Sequence, residues 1–513
     1  MKKNFFSLTF VFMLILYLLP MALSKKLPCQ DVPNHMAIIH TLAAENVEPG
    51  WQRHFENNLQ AAPYSTYYWL GVQLTKLFDA EGANRIILCL YGILLPLSFL
   101  FLLLSIDGSL KWNVFFSFPL IYSDLYLLGF TNFMLTLPLF LLMTGLAVKF
   151  IKAETTDYKN LFLIGVLTIV IFNTHPFTQF IFMGLIFLAL PLFIKKMKRI
   201  LLVFSATLPG LLLLFLWMKT SSGFSTIDYL PLTFKIEYLV LTPFLFTEAS
   251  SRFLFYIIIL LVLVLLGLFV INQKKSSKEN KPIREKPNHN FRKGIIFLSS
   301  LFLLYFFSPY AAGATIWFDL RIAIFVWLSL FTLIMPHLLK NRTAKAIILM
   351  ICFINLVGIM SGHYRFNGEI KPLFKMIDRM EPDARILPIL IDPGSKTINP
   401  FYFRDGVIPY FSLFTHFGSY YHVEKGGESP FMTFYPGLDH IPLKLRNPIY
   451  REVFRISDPF NPNRLLKIVP HITGYFDYIL VRGTNMERLA YLSKLAALKF
   501  QAGHYYLFET TGN

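Results

Sequence analysis

Residues 5–23 read FFSLTFVFMLILYLLPMAL, a nearly uninterrupted apolar run that follows Lys2 and Lys3. A helix needs roughly 17–25 apolar residues to cross a bilayer, and this run has that length. The flank after it, residues 24–26 (SKK), is a poor cleavage site for a secretory signal. The sequence therefore predicts an uncleaved first membrane span.

The composition of the whole chain is typical of a membrane protein. Of its 513 residues, 55% are hydrophobic and only 15% are charged, and the mean hydropathy is +0.53. A soluble domain would carry about a quarter charged residues. The net charge of +18 is explained by basic loops between spans, so we expect no nucleic-acid partner. The three cysteines lie far apart and predict neither a disulfide framework nor a metal cluster.

Apolar segments continue to about residue 361 and predict about eleven spans. They lie near 5–23, 85–105, 112–123, 127–148, 160–174, 176–194, 200–218, 253–272, 294–308, 319–339 and 345–361. The fold class that we expect is a polytopic α-helical membrane protein with a C-terminal extracytoplasmic α/β domain.

Basic residues in the short loops predict the orientation. With Lys2 inside, the positive-inside rule places the basic connections on the cytoplasmic side. They contain Lys111, Lys149, Lys152, residues 195–199, residues 273–293, Lys340, Arg342 and Lys345. We interpret the polar loop 273–293 as a solvated cytoplasmic linker, with anionic-lipid binding as the weaker alternative. The opposite face of the plasma membrane then receives the loop 24–84 and everything after about 362.

Prolines, glycines and charges become frequent after residue 361, so we divide the chain into a membrane module, 1–361, and a soluble periplasmic α/β domain, 362–513. Strands are predicted by the apolar, β-branched and aromatic runs at 385–391, 477–481 and 504–508. Residues 486–499 have the apolar period of a helix.

The loop after the first span begins with Gln30-Asp31-Val32-Pro33-Asn34-His35. Pro33 is suited to the first turn of a helix that would run to about Ala44 with one apolar face at the membrane interface. A second such helix is predicted over 64–78. Asp31 either caps the first helix or supplies a carboxylate for chemistry at the membrane exit. His35, one helical turn later, is a candidate substrate-binding residue with interface packing as the alternative.

Four further residues on the same predicted face are substrate-binding candidates. Arg321 lies at the outer mouth of a span, where a guanidinium suits a phosphate, unless it pairs with Asp319. Arg53 is weaker, because interfacial basic side chains usually contact lipid headgroups. Glu248 is either a second acid or a helix cap. His175 precedes a proline and either shapes a turn or contacts substrate.

This arrangement resembles the GT-C superfamily of integral-membrane glycosyltransferases, including those of the protein O-mannosyltransferase and aminoarabinose transferase type. The resemblance is carried by Asp31, His35, Pro63-Tyr64, Gly82-Ala83-Asn84-Arg85, Gly129-Phe130-Thr131-Asn132-Phe133 and Arg321. It implies a polyprenyl-phosphate-linked sugar donor, a hydroxyl acceptor on a glycan, lipid or protein, and Asp31 as catalytic base. Many members have two adjacent acids where this chain has Asp31 and Val32, so a divalent-metal requirement stays open.

Two alternatives belong to other functional classes. A transporter or flippase of lipid-linked glycans would carry charges in mid-span and repeat symmetry, and the sequence shows little of either. A non-catalytic assembly protein would bind envelope polymer with its C-terminal domain and would use Asp31 only as a helix cap.

Overall fold

The computed structural model describes most of the chain. The described residues are 2–45, 47, 51–60, 62–155, 157–192, 194–220, 227–278, 289–312, 317–333, 342–398, 412–432, 442–456 and 462–510. Residues 279–288 of the predicted cytoplasmic linker and the last residues of the predicted span 319–339 lie outside these ranges.

The described chain is mostly helical. Its α-helices are Lys2–Leu23, Val32–Ala43, Trp51–His54, Ser65–Leu74, Ala80–Ile106, Ser117–Ile121, Asp124–Leu128, Thr131–Lys152, Tyr158–Thr174, Phe177–Leu192, Met197–Ala206, Leu208–Thr220, Leu232–Leu241, Leu245–Ser250, Arg252–Lys278, His289–Phe307, Leu320–Leu333, Arg342–Ile377, Ser419–Lys425, Pro448–Ile456, Pro462–Ile472 and Met486–Leu492. Two compact units are formed. The first comprises Met1–Pro20, Leu90–Leu125 and Asn132–Met360, and the second comprises Met21–Cys89, Tyr126–Thr131 and Ser361–Asn513.

Four of the described helices are long and apolar enough to cross a membrane. They are Phe5–Leu23, Ala80–Ile106, Thr131–Lys152 and Arg342–Ile377. A fifth candidate is the pair Ile194–Ala206 and Leu208–Lys219, which is bent by 50° at its break. Shorter apolar helices cover Tyr158–Thr174, Phe177–Leu188, Arg252–Gly267, Leu298–Phe307 and Leu320–Thr332. The membrane character predicted from the sequence agrees with these helices, whereas the count of about eleven spans stays a prediction.

The predicted span at 112–123 is wrong. A 3₁₀ helix, Gly108–Phe116, and the short α-helix Ser117–Ile121 occupy this stretch, and their apolar side chains are buried inside the protein. Phe116 stacks on Phe331 with ring centroids 4.3 Å apart, and Asn113 donates a hydrogen bond of 2.7 Å to the Phe331 carbonyl. Apolar runs this short more often pack in a protein core than cross a bilayer.

A four-stranded mixed sheet forms within the second unit. Its order is Ile386–Leu390, Tyr478–Arg482, Tyr505–Glu509 and Ala497–Ala502. The first two strands are parallel and wholly buried, which explains their continuous apolar sequences, and the other pairs are antiparallel. The three strands predicted from the sequence are confirmed. The predicted helix over 486–499 is wrong in its second half, since the helix ends at Leu492 and strand Ala497–Ala502 begins soon after.

The loop between the first two long helices also folds within the second unit. Its short strand Phe55–Asn57 pairs antiparallel with Leu443–Leu445. Helices Val32–Ala43 and Ser65–Leu74 lie where the sequence predicts them. However, Val32–Ala43 is buried on nearly every face, so the expectation of an interfacial helix with one buried stripe is wrong. It packs against Ser65–Leu74 and Ser419–Lys425.

Candidate active site around Asp31

The backbone of Asp31 is fixed by the segment Tyr126–Thr131. The Gln30 N–H donates to the Leu127 carbonyl at 2.8 Å, and the Asp31 N–H donates to the Leu128 carbonyl at 3.1 Å. Gly129 follows with φ of 76°, and a Cβ there would lie 2.9 Å from the Asp31 nitrogen. Only glycine suits both this conformation and this close approach.

The side chain of Asp31 does not cap the helix that it precedes. Its backbone has φ −89° and ψ −13°, whereas a capping residue normally has an extended backbone, and its carboxylate accepts no capping hydrogen bond. The His35 N–H does donate to the Asp31 carbonyl at 3.0 Å, so helical geometry begins at Asp31 despite Pro33. The capping alternative is therefore contradicted.

The two oxygens of the Asp31 carboxylate have different environments. The Gln30 amide Nε2 donates to Oδ1 at 3.3 Å, and His416 Nε2 lies 3.5 Å from the same oxygen. No described residue forms a hydrogen bond or ion pair with Oδ2. The side chain keeps 14% of its surface exposed. Such a carboxylate is held on one oxygen and can accept a proton on the other.

His35 lies one turn beyond Asp31 in an aromatic cluster. Its Nδ1 shares a hydrogen bond of 2.7 Å with the Tyr68 hydroxyl, and its ring lies 5.2 Å from that of Tyr67. Burial lowers the pKa of His35 to about 4, against the opposing effect of Asp31. His35 is therefore neutral at neutral pH and does not add positive charge here. Its role in substrate binding stays a prediction.

The segment 412–419 approaches the same helix start within the second unit. The Ser412 N–H donates to Gln30 Oε1 at 2.6 Å, and the Ser419 hydroxyl donates to Asn34 Oδ1. The sequence analysis did not predict the contact of this segment with Asp31. No local pattern links positions that are so distant in the chain.

Arg321 occupies the first turn of helix Leu320–Leu333 in the first unit. Its side chain is buried, and its guanidinium carbon lies 5.8 Å from the centre of the Phe133 ring. His175 packs its own ring 5.2 Å from Phe133, so these two predicted residues share one aromatic neighbour. The His175 Nδ1 accepts the Phe177 N–H at 3.3 Å, which agrees with the turn role considered for it.

Asp319, two residues before Arg321, forms a buried ion pair that the sequence did not reveal. Asp319 is bonded to Lys235, with Nζ 3.0 Å from Oδ2, and both side chains are almost fully buried. Lys235 also donates to the Ser308 and Phe306 carbonyls at 2.6 and 3.2 Å, at the end of helix His289–Phe307. Lys235 thus supplies hydrogen bonds to carbonyl groups at the end of this helix, and Asp319 balances its charge, so the pair has a structural role.

The remaining predicted residues are placed as follows. Glu248 is buried in the short helix Leu245–Ser250, with Oε1 3.5 Å from Arg252 Nε. Arg53 is exposed in the four-residue helix Trp51–His54. Among the described residues, no group of three or more His, Cys, Asp or Glu side chains could hold a metal ion.

Comparison with solved structures identifies the fold. ArnT from Cupriavidus metallidurans bound to undecaprenyl phosphate superposes with a TM-score of 0.53, over 99% of this chain and 98% of that one, at 8% identity. The chain has an ArnT-like fold. This similarity confirms the resemblance expected from the sequence at the level of the fold alone. The apo form of the same ArnT has a TM-score of 0.49 at 9% identity. Neither protein-family models nor curated proteins give a match to the sequence.

Proposed function

We propose that this protein is a membrane glycosyltransferase that transfers a sugar, a hexose or pentose, from a polyprenyl-phosphate-linked donor to a hydroxyl acceptor. The donor class is supported by the ArnT-like fold, since the superposed ArnT is bound to undecaprenyl phosphate. The acceptor is a glycan, lipid or protein hydroxyl. The observation that carries the proposal is the partly exposed Asp31 carboxylate, whose Oδ1 is held by Gln30 and faces His416.

In this proposal Asp31 acts as general base. The acceptor hydroxyl attacks the anomeric carbon of the donor, and its proton passes to Asp31 Oδ2 as the new C–O bond forms. The bond between the anomeric carbon and the phosphate oxygen breaks, and polyprenyl phosphate leaves with the electron pair.

Arg321 is proposed to stabilise the charge of the leaving phosphate. A guanidinium presents parallel donors that match phosphate oxygens. Donors that are already oriented toward developing charge lower the barrier without reorganising. The burial of Arg321 against Phe133 limits the conformations of its side chain.

The orientation belongs to the same proposal. The transfer takes place on the outer face of the plasma membrane, with the N-terminus cytoplasmic and residues 362–513 outside. The pairing of strand Phe55–Asn57 with Leu443–Leu445 supports placing the loop 24–84 and residues 362–513 on the same face.

The test is transfer by the purified full-length protein in detergent. Radiolabelled undecaprenyl-phosphate-linked hexoses and pentoses serve as donors, and a total membrane extract serves as the pool of acceptors. Asp31→Asn should lower transfer by about 10²–10⁴-fold, the usual contribution of a general base. The matched control is Asp79→Asn, because Asp79 Oδ1 accepts the Gly82 N–H at 2.6 Å as a cap, and asparagine caps equally well.

Undiminished transfer by Asp31→Asn would remove the base assignment. If the wild-type protein yields no product with any donor but moves the labelled lipid between leaflets of proteoliposomes, the transport alternative replaces the proposal.

A further inference from the structure

The segment 412–419 is anchored at both ends beside the proposed base. Its first anchor is the Ser412 N–H on the Gln30 side-chain carbonyl, at 2.6 Å. Its second anchor is the Ser419 hydroxyl on Asn34. Helix Ser419–Lys425 then packs along helix Val32–Ala43. His416 lies between these anchors, so its position relative to Asp31 is fixed from both sides.

His416 lies within ion-pair distance of Asp31. His416 Nε2 lies 3.5 Å from Asp31 Oδ1, the oxygen that also accepts from Gln30. His416 is 8% exposed. The Gln30 hydrogen bond and the nearby His416 ring restrict the rotation of the carboxylate and leave Oδ2 for the acceptor hydroxyl. A base displaced by about 1 Å can lose about 10²-fold in rate, so such fixing matters for proton transfer.

We propose that His416 is the positioning residue for Asp31, and that residues 412–419 thereby contribute to the transfer reaction through Asp31. The inference rests on the proposed function. His416 acts through Asp31, with its Nε2 proton directed at Oδ1, and does not itself take the proton of the acceptor.

The test uses two substitutions of His416. His416→Phe keeps a planar ring but removes the donor, and we expect the rate at saturating donor to fall about tenfold or more, with the KM for the donor unchanged. His416→Gln returns an N–H donor near the Nε2 position, and we expect a rate within about threefold of wild type.

His422→Gln is the matched control. His422 is a buried histidine six positions later whose Nδ1 lies 3.3 Å from the Gly426 carbonyl, and it has no contact with Asp31 in the described structure. Its rate should equal that of wild type. Rates, donor KM and thermal unfolding temperature are measured together for each variant.

Three results would overturn the inference. His416→Phe could match wild type, His416→Gln could be as slow as His416→Phe, or the donor KM and the unfolding temperature could change together with the rate, as a structural role requires. The Asp31→Asn variant distinguishes a failure of the His416 role from a failure of the proposed function. If it is inactive while His416→Phe is unaffected, only the role of His416 fails, whereas an active Asp31→Asn contradicts the proposed function as well.

Discussion

Two buried or half-buried acids of this protein, Asp31 and Asp319, have opposite environments. Asp319 is fully buried and bonded to Lys235, which also satisfies carbonyls at a helix end. Asp31 keeps 14% of its side-chain surface exposed, and within the described chain a histidine and an amide contact it through Oδ1 alone. The comparison shows how a structural acid differs from a candidate catalytic one: the first has a full charge partner, and the second keeps an oxygen available.

The largest effect on stability is expected at the structural acid. Asp319→Asn leaves the Lys235 ammonium buried without its counter-charge, and breaking a buried pair in this way costs about 3–5 kcal/mol. We expect a clear drop in the thermal unfolding temperature of the detergent-solubilised protein. The variant with both partners replaced, Lys235→Met with Asp319→Leu, should recover much of the loss. An unchanged unfolding temperature in Asp319→Asn would show that the pair is not structural.

A substitution at Gly129 is expected to affect the transfer rate more than the stability. An alanine there would need a left-handed backbone and would bring its Cβ to 2.9 Å from the Asp31 nitrogen. We expect Gly129→Ala to shift Asp31 and to lower transfer at least about tenfold, while donor binding is retained. Gly474→Ala is the control, because a Cβ there meets no atom within 4 Å. Equal activity of both variants would mean that the backbone of Asp31 does not need this support.

The smallest effect is expected at Arg321, on the binding of undecaprenyl phosphate. Arg321→Gln should weaken the binding of undecaprenyl phosphate by about tenfold, and Arg321→Lys less, because lysine keeps the charge but loses the planar donors. Binding is measured as ligand-induced stabilisation of the purified protein. The matched control is Arg199→Gln, since the Arg199 guanidinium also lies 5.8 Å from an aromatic ring, that of Phe150, on the predicted cytoplasmic side. If the two variants bind equally well, Arg321 is not the phosphate partner.

Much of the fold could be predicted because its signals are local. The first span, the helix after Pro33 and the three strands all follow from periodicity and composition within short windows. Residues 112–123 could not be assigned in this way, because an apolar sequence does not reveal whether its surroundings are lipid or protein. The span count depends on such segments, and the side on which 362–513 lies depends on the count.

The candidate site was predicted only in part, because only some of its residues have a local sequence signal. Asp31 could be found from its place after the first span. His416, Ser412 and the Lys235–Asp319 pair could not, since they meet their partners through contacts between distant parts of the chain. A sequence without aligned relatives carries no signal for such contacts.

The most direct test of the account compares Asp31→Asn and Asp319→Asn in parallel, with sugar transfer and thermal unfolding measured on the same preparations. We predict that Asp31→Asn loses transfer and keeps the wild-type unfolding temperature, whereas Asp319→Asn unfolds at a lower temperature. Transfer by Asp31→Asn at the wild-type rate, or a loss of transfer that only follows a loss of stability, would contradict the account.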